Sequence, residues 1–202
     1  SVGSMVVITV LSAVVYGHHM FTTGLSAMLG ESFMLLTMII SVPAEVLFFN
    51  WLHTLWKGSL RLTTPMLFAM SVIFVFGLGG LTGIYLATIG TDIFLHDTYF
   101  VVAHFYYTFY PIAIIGTFAG VTYWFPKMFG KMMSDFWGKV HFWGTIIPFN
   151  MVFIPLFVVG TAGQNRRIYD YSHFPELMTP GMQDMRVFAT MSLLVMLAFQ
   201  LV

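Results

Sequence analysis

Cysteine is absent from this 202-residue chain, which excludes disulfides, thiolate metal sites and iron–sulfur clusters and leaves the redox compartment unreadable. Charge is almost as scarce. Eight basic and eight acidic residues make up 8% of the chain, against about 25% in a soluble domain. So few charges do not cover a water-facing surface, so the solvent of most of this chain is lipid. The two signs balance, and no excess points to nucleic acid or an acidic substrate. No secretory signal is visible: apolar sequence begins almost at Ser1, and the chain closes within another apolar run. Both ends look cut, so the expected unit is one membrane domain, 1–202, truncated at both ends.

Hydrophobic residues make up 58% of the chain, and the mean hydropathy is +0.87. A bilayer core about 30 Å thick needs about 20 mostly apolar helical residues. Four runs reach that length, at 26–55, 63–86, 98–125 and 137–161, and 1–14 and 186–202 read as parts of two more. The fold class is an all-α integral membrane bundle, with about four complete and two truncated spans. Lys57, Arg61, Lys127, Lys131 and Lys139 fall in or beside alternate loops, which the positive-inside rule places in the cytoplasm. His18, His19, His96, Arg166 and Arg167 then lie at the outer ends. Trp51, Trp56, Tyr123 and Trp124 fit an interfacial belt. The 16 methionines and 22 phenylalanines read as packing and lipid-facing residues.

Ionisable groups in or near spans are functional candidates by default. His18 and His19 are adjacent, and neighbours on a helix point about 100° apart. Both reach one metal only if the chain turns there, which Gly17 permits. Imidazole without thiolate suits copper, iron or zinc. Taken alone, the pair reads first as two interfacial histidines at a helix end, and a metal site needs further context. His104 sits near the outer end of an apolar run, and one histidine facing a His-His pair is what a heme iron opposite a copper requires. Positions 104 and 106 differ by about 200°, so they point to opposite faces and one helix could address two different hemes. Glu45 lies mid-span, where a carboxyl must be protonated, paired or wet.

The segments Tyr16-Gly17-His18-His19-Met20-Phe21-Thr22, Gly79-Gly80-Leu81-Thr82-Gly83 and Leu95-His96-Asp97-Thr98-Tyr99-Phe100-Val101-Val102-Ala103-His104-Phe105 closely resemble subunit I of the heme-copper terminal oxidases. Tyr123-Trp124-Phe125-Pro126-Lys127 and Arg166-Arg167 followed by Asp170-Tyr171 do so too, and the resemblance runs along essentially the whole chain. It implies that His18 and His19 are two of three copper-B ligands and that His104 is the axial ligand of the high-spin heme. It assigns His96 and Asp97 to a magnesium or manganese site, and Arg166, Arg167 and Asp92 to the heme propionates, which suits a forked guanidinium. Expected partners are cytochrome c or another electron donor, subunits II and III of an oxidase complex, and membrane lipid. The implied activity is reduction of dioxygen to water, coupled to proton translocation. The third copper ligand, its crosslinked tyrosine and a further low-spin heme ligand would lie upstream.

Two positions depart from that pattern. The residue two after the high-spin ligand should be the histidine of a low-spin heme, and here it is Tyr106, a poor ligand for a low-spin electron-transfer heme. The proton-delivering lysine and its threonine read Leu47 and Ala44, with Glu45 beside them as a substitute proton carrier or a metal-facing acid. The second choice would favour a nitric oxide reductase on the same scaffold. A degenerate non-catalytic paralogue rests on Tyr106 alone, and a transporter fits the composition but predicts no heme. The missing lysine favours the bacterial inner membrane over the mitochondrial one.

Overall fold

The computed structural model describes residues 1–202 and contains helices and loops only. Eight α-helices follow in order: α1 (Val2–Ser12), α2 (Ala27–Leu55), α3 (Thr64–Ala87), α4 (Ile89–Leu95), α5 (Tyr99–Tyr110), α6 (Gly116–Phe129), α7 (Asp135–Thr161) and α8 (Pro180–Phe199). Five segments are long and apolar enough to cross a membrane, because α5 and α6 run on as one 31-residue span, Tyr99–Phe129. A turn of π-helix, Pro111–Ile115, joins them, with Gly116 N–H donating to Pro111 O. Pro111 has no N–H to give, and the wider turn absorbs the missing bond.

The last span corrects the expectation of a truncated run at 186–202. α8 starts six residues earlier, with proline in its first turn, a position that asks for no N–H. Gln183, Asp184 and Arg186 lie in its first two turns, and they hid the helix start from a hydropathy reading. Val2–Ser12, by contrast, is a short apolar helix of 11 residues.

Tertiary contacts confirm which loops share a side. At one end, Thr64 N–H and Oγ1–H both donate to Asp135 Oδ1, at 3.0 and 2.9 Å. That bond ties the start of α3 to the start of α7 and brings together the two lysine-bearing loops. At the other end, residues 97–99 pair with 164–166: Tyr99 N–H donates to Gln164 O, and Arg166 N–H to Asp97 O. Asp97 and Arg167 take left-handed backbone, with φ of 54° and 68°, which costs a non-glycine residue on the order of 1 kcal/mol or more. The outer loops hold this strain where most candidate residues gather.

The core lies among α3, α5 and α7, around Phe68, Val75, Tyr107, Phe149 and Phe153. Within it Tyr107 OH donates to Asn150 Oδ1 at 2.6 Å, while Asn150 Nδ2 donates to Ile146 O. In lipid such a pair fixes the register of α5 on α7, because the alternative leaves a polar group unpaired. Tyr107→Phe is expected to destabilise the bundle by about 1 kcal/mol, read as a lower midpoint in detergent unfolding.

Candidate metal centre at the outer ends of the helices

Val15–Met20 forms a 3-10 helix between α1 and α2. Gly17 is buried against the ring of Phe33 on α2, which leaves no room for a Cβ. Close approach, and not left-handed backbone, is what the glycine provides. The turn sets the His18 and His19 rings with centroids 4.0 Å apart, tilted by 45°. The turn thus brings the two imidazoles side by side.

The hydrogen bonds decide which nitrogen each ring offers. Thr37 Oγ1–H donates to Phe33 O at 2.6 Å, which uses its only proton. The 3.2 Å contact between Thr37 Oγ1 and His18 Nδ1 must then be Nδ1–H donating to oxygen. That leaves the Nε2 lone pair free for a metal. His104 follows the same logic. Its Nδ1 lies 3.0 Å from the Gly79 carbonyl and 3.0 Å from Thr82 Oγ1. A carbonyl only accepts, and the Thr82 proton already goes to Gly79 O, so Nδ1 is again the donor and Nε2 is free. Such partners orient a metal-binding imidazole and raise its basicity. Gly83 lies against the same ring: a Cβ there would meet His104 Cε1 at 2.9 Å.

Burial, and then the neighbouring His19, hold the His18 pKa down at about 4. Burial and Arg166 lower that of His19. Both rings are neutral at pH 7, the form that binds metal. No three histidine or carboxylate side chains of this chain form a complete cluster. The residues fit part of a copper site and one axial position of a heme. Thr37→Val is expected to weaken copper binding about 10- to 100-fold, by metal titration, with Thr37→Ser near wild type.

A second group lies beside it. His96 Nδ1 and Asp92 Oδ2 are 3.0 Å apart, with Asp92 buried. The carboxylate therefore orients the imidazole and leaves His96 Nε2 free, an arrangement suited to a metal-bound histidine. Burial raises the Asp92 pKa, and the bond to His96 opposes it. Arg166 closes on Asp97, with Nε at 2.8 Å and Nη2 at 2.5 Å from Oδ1, and Arg167 Nη1 lies 3.9 Å from Oδ2. Burial pushes the Asp97 pKa up, but Arg166, His96 and Arg167 together bring it below the ordinary value. The two arginines share one carboxylate and sit at the outer rim, Arg167 well exposed.

Glu45 and Tyr106 stand apart from this group. Glu45 is exposed on the outward face of α2, whereas Leu47 is buried. At 1.5 Å per residue, Glu45 lies about 12 Å along the helix from Thr37, far from the paired histidines. Tyr106 stacks on Phe153 of α7, with centroids 4.6 Å apart and planes at 23°. Thr37 and Thr82 were invisible as site residues from sequence: hydroxyls are common in membrane helices, and only the fold shows which ones meet a histidine.

The chain matches the family model for cytochrome c and quinol oxidase polypeptide I over residues 1–195. It is 45% identical to cytochrome c oxidase subunit 1 of Cereibacter sphaeroides over 168 residues, 83% of this chain and 30% of that protein. It is 45% identical to quinol oxidase subunit 1 of Bacillus subtilis over 170 residues, 84% of this chain and 26% of that protein. Against cytochrome c oxidase subunit 1 of Corynebacterium diphtheriae the figure is 47% over 164 residues, 81% of this chain and 29% of that protein. The chain thus spans less than a third of the length of these relatives. With five helices long and apolar enough to cross a membrane, it is an integral membrane protein. The chain belongs to the cytochrome c and quinol oxidase polypeptide I family, the heme-copper oxidase subunit I proteins.

Proposed function

We propose that this chain carries part of the dioxygen-reducing centre of a heme-copper oxidase, with His18 and His19 as copper ligands and His104 as the axial ligand of the high-spin heme. The observation that carries this is the matched tautomer of His18 and His104, each bonded through Nδ1 and each with Nε2 free. When bound, the heme and copper supply the redox chemistry of oxygen reduction. Thr37 and Thr82 with Gly79 hold the imidazoles in the metal-binding tautomer. Asp92 orients His96, which with Asp97 fits magnesium or manganese, and Arg166 and Arg167 supply positive charge at the outer rim for heme propionates. Two adjacent histidines form an incomplete copper site, which agrees with a third ligand supplied by another part of subunit I. The unit 1–202 acts as one membrane domain, with subunits II and III as its partners in the complex.

Relatives that use cytochrome c and relatives that use quinol are about equally similar to this chain. Cytochrome c is the donor we favour, with proton translocation accompanying turnover. A nitric oxide reductase with Glu45 facing the metal is disfavoured by the 12 Å, or about that, between Glu45 and Thr37 along α2. The test is the complex purified with full-length subunit I. Heme bands in a reduced-minus-oxidised spectrum, copper lost in His18→Ala, and oxygen uptake with reduced cytochrome c are expected. Uptake only with quinol would move the donor. Nitric oxide consumption without oxygen uptake would sink the oxidase reading, and a preparation free of heme would favour a transporter.

A further inference from the structure

Helix α5 carries two residues at the level of the candidate centre, and they are built differently. His104 and Tyr106 point about 200° apart, so they address opposite sides of the helix. On one side everything around the ring serves ligation. His104 Nδ1 is held by Gly79 O and Thr82 Oγ1, Gly83 clears the space beside the ring, and Nε2 keeps its lone pair. On the other side the neighbours of Tyr106 are aromatic. Its ring lies flat on Phe153, and Phe105 presents an edge at 5.6 Å and 81°. The hydroxyls of Tyr107 and Tyr171 find partners within the chain, whereas that of Tyr106 finds none, and the residue is 37% exposed.

A phenol has no neutral nitrogen lone pair. What it offers an iron is a hard oxygen donor. The side chains packed on Tyr106, Phe153 and Phe105, are aromatic and bring neither a nitrogen donor nor a charged group to that face. A phenolate would also give a weak-field, ferric-stabilising ligand, suited to high-spin iron. Position 106 therefore does not fit the axial site of a low-spin heme.

We propose that α5 presents a single heme ligand, so that subunit I of this protein binds one heme, through His104, and holds no low-spin heme at position 106. This inference rests on the heme-copper reading above and deepens it. It also implies that electrons reach the His104 heme without an intermediate heme on the opposite face of α5.

The test is stoichiometry on the intact complex. Heme extractable into acidified acetone, quantified as its pyridine complex against subunit I from amino-acid analysis, is expected at one per chain. Electron paramagnetic resonance of the oxidised complex is expected to show no low-spin ferric heme. Tyr106→Phe, which keeps the stacked ring and removes only the hydroxyl, is expected to leave heme content and spectrum unchanged. Two extractable hemes per chain, or a low-spin ferric signal, would overturn the proposal. So would a phenolate-to-iron absorption band that Tyr106→Phe abolishes. A complex without any heme would fail at the parent reading instead, which keeps the two failures distinct.

Discussion

Gly83→Val in full-length subunit I is expected to lose the His104-bound heme almost as completely as His104→Ala. The reason is local and steric. A Cβ at position 83 would lie 2.9 Å from His104 Cε1, well inside van der Waals contact, and valine adds two methyl groups beyond it. The imidazole cannot yield cheaply, because its Nδ1 is fixed by the Gly79 carbonyl and Thr82 Oγ1 on the same helix as the intruding side chain. Overpacking of this kind costs about 1–3 kcal/mol, which corresponds to roughly 10- to 100-fold weaker heme retention. Gly83→Ala should fall between valine and wild type. Extractable heme and oxygen uptake should drop together, while the unfolding midpoint changes little, since the residue next to the ring is half-exposed and not in the core. Full heme occupancy in Gly83→Val would show that His104 does not hold the heme in this orientation.

Much of the fold was legible because lipid imposes a simple rule. Long apolar runs must be helices that satisfy their own backbone, and the loop charges gave the sidedness that the Thr64–Asp135 and Asp97–Arg166 bonds display. The errors came where hydropathy and chemistry part. α8 begins at Pro180, within charged sequence, since the first turns of a membrane helix sit at the interface and tolerate charge. The 98–125 run was expected to end at Phe125; the helix continues to Phe129 and stops at left-handed Gly130. At the site, the pairing of His18 with His19 was legible from adjacency. The Asp92–His96 bond was not, although an i, i+4 spacing on one helical turn could have signalled it. Thr37 is 19 residues from His18, and no local pattern links a helix hydroxyl to a histidine in the preceding turn. The face of Glu45 was also hidden, because a two-residue step from Leu47 turns the side chain to the other side of α2.

That outward carboxyl gives the second large effect. Thr37, Ser41 and Glu45 follow at four-residue intervals along α2, so they line one stripe with steps of about 6 Å. Thr37 Oγ1 touches His18, and Ser41 Oγ donates to Met38 O. Glu45 lies about 12 Å beyond Thr37 along α2 and about 80° around the helix from it, whereas buried Leu47 offers no protonatable atom. A carboxyl exposed mid-span must be neutral or must meet a polar partner from the rest of the subunit, because an uncovered charge in lipid is expensive. General acid–base groups contribute about 100-fold or more to rate. Glu45→Gln is expected to slow turnover at least about tenfold, with heme and copper content unchanged because the metal ligands lie about 12 Å away along the helix. Glu45→Asp should retain part of the rate. Single-turnover proton uptake after mixing with oxygen would locate the defect: slowed uptake in Glu45→Gln, with Ser41→Ala intermediate, places the proton route along this face of α2. Equal uptake in wild type and Glu45→Gln would remove the stripe from the mechanism and leave Glu45 as a contact for a neighbouring helix.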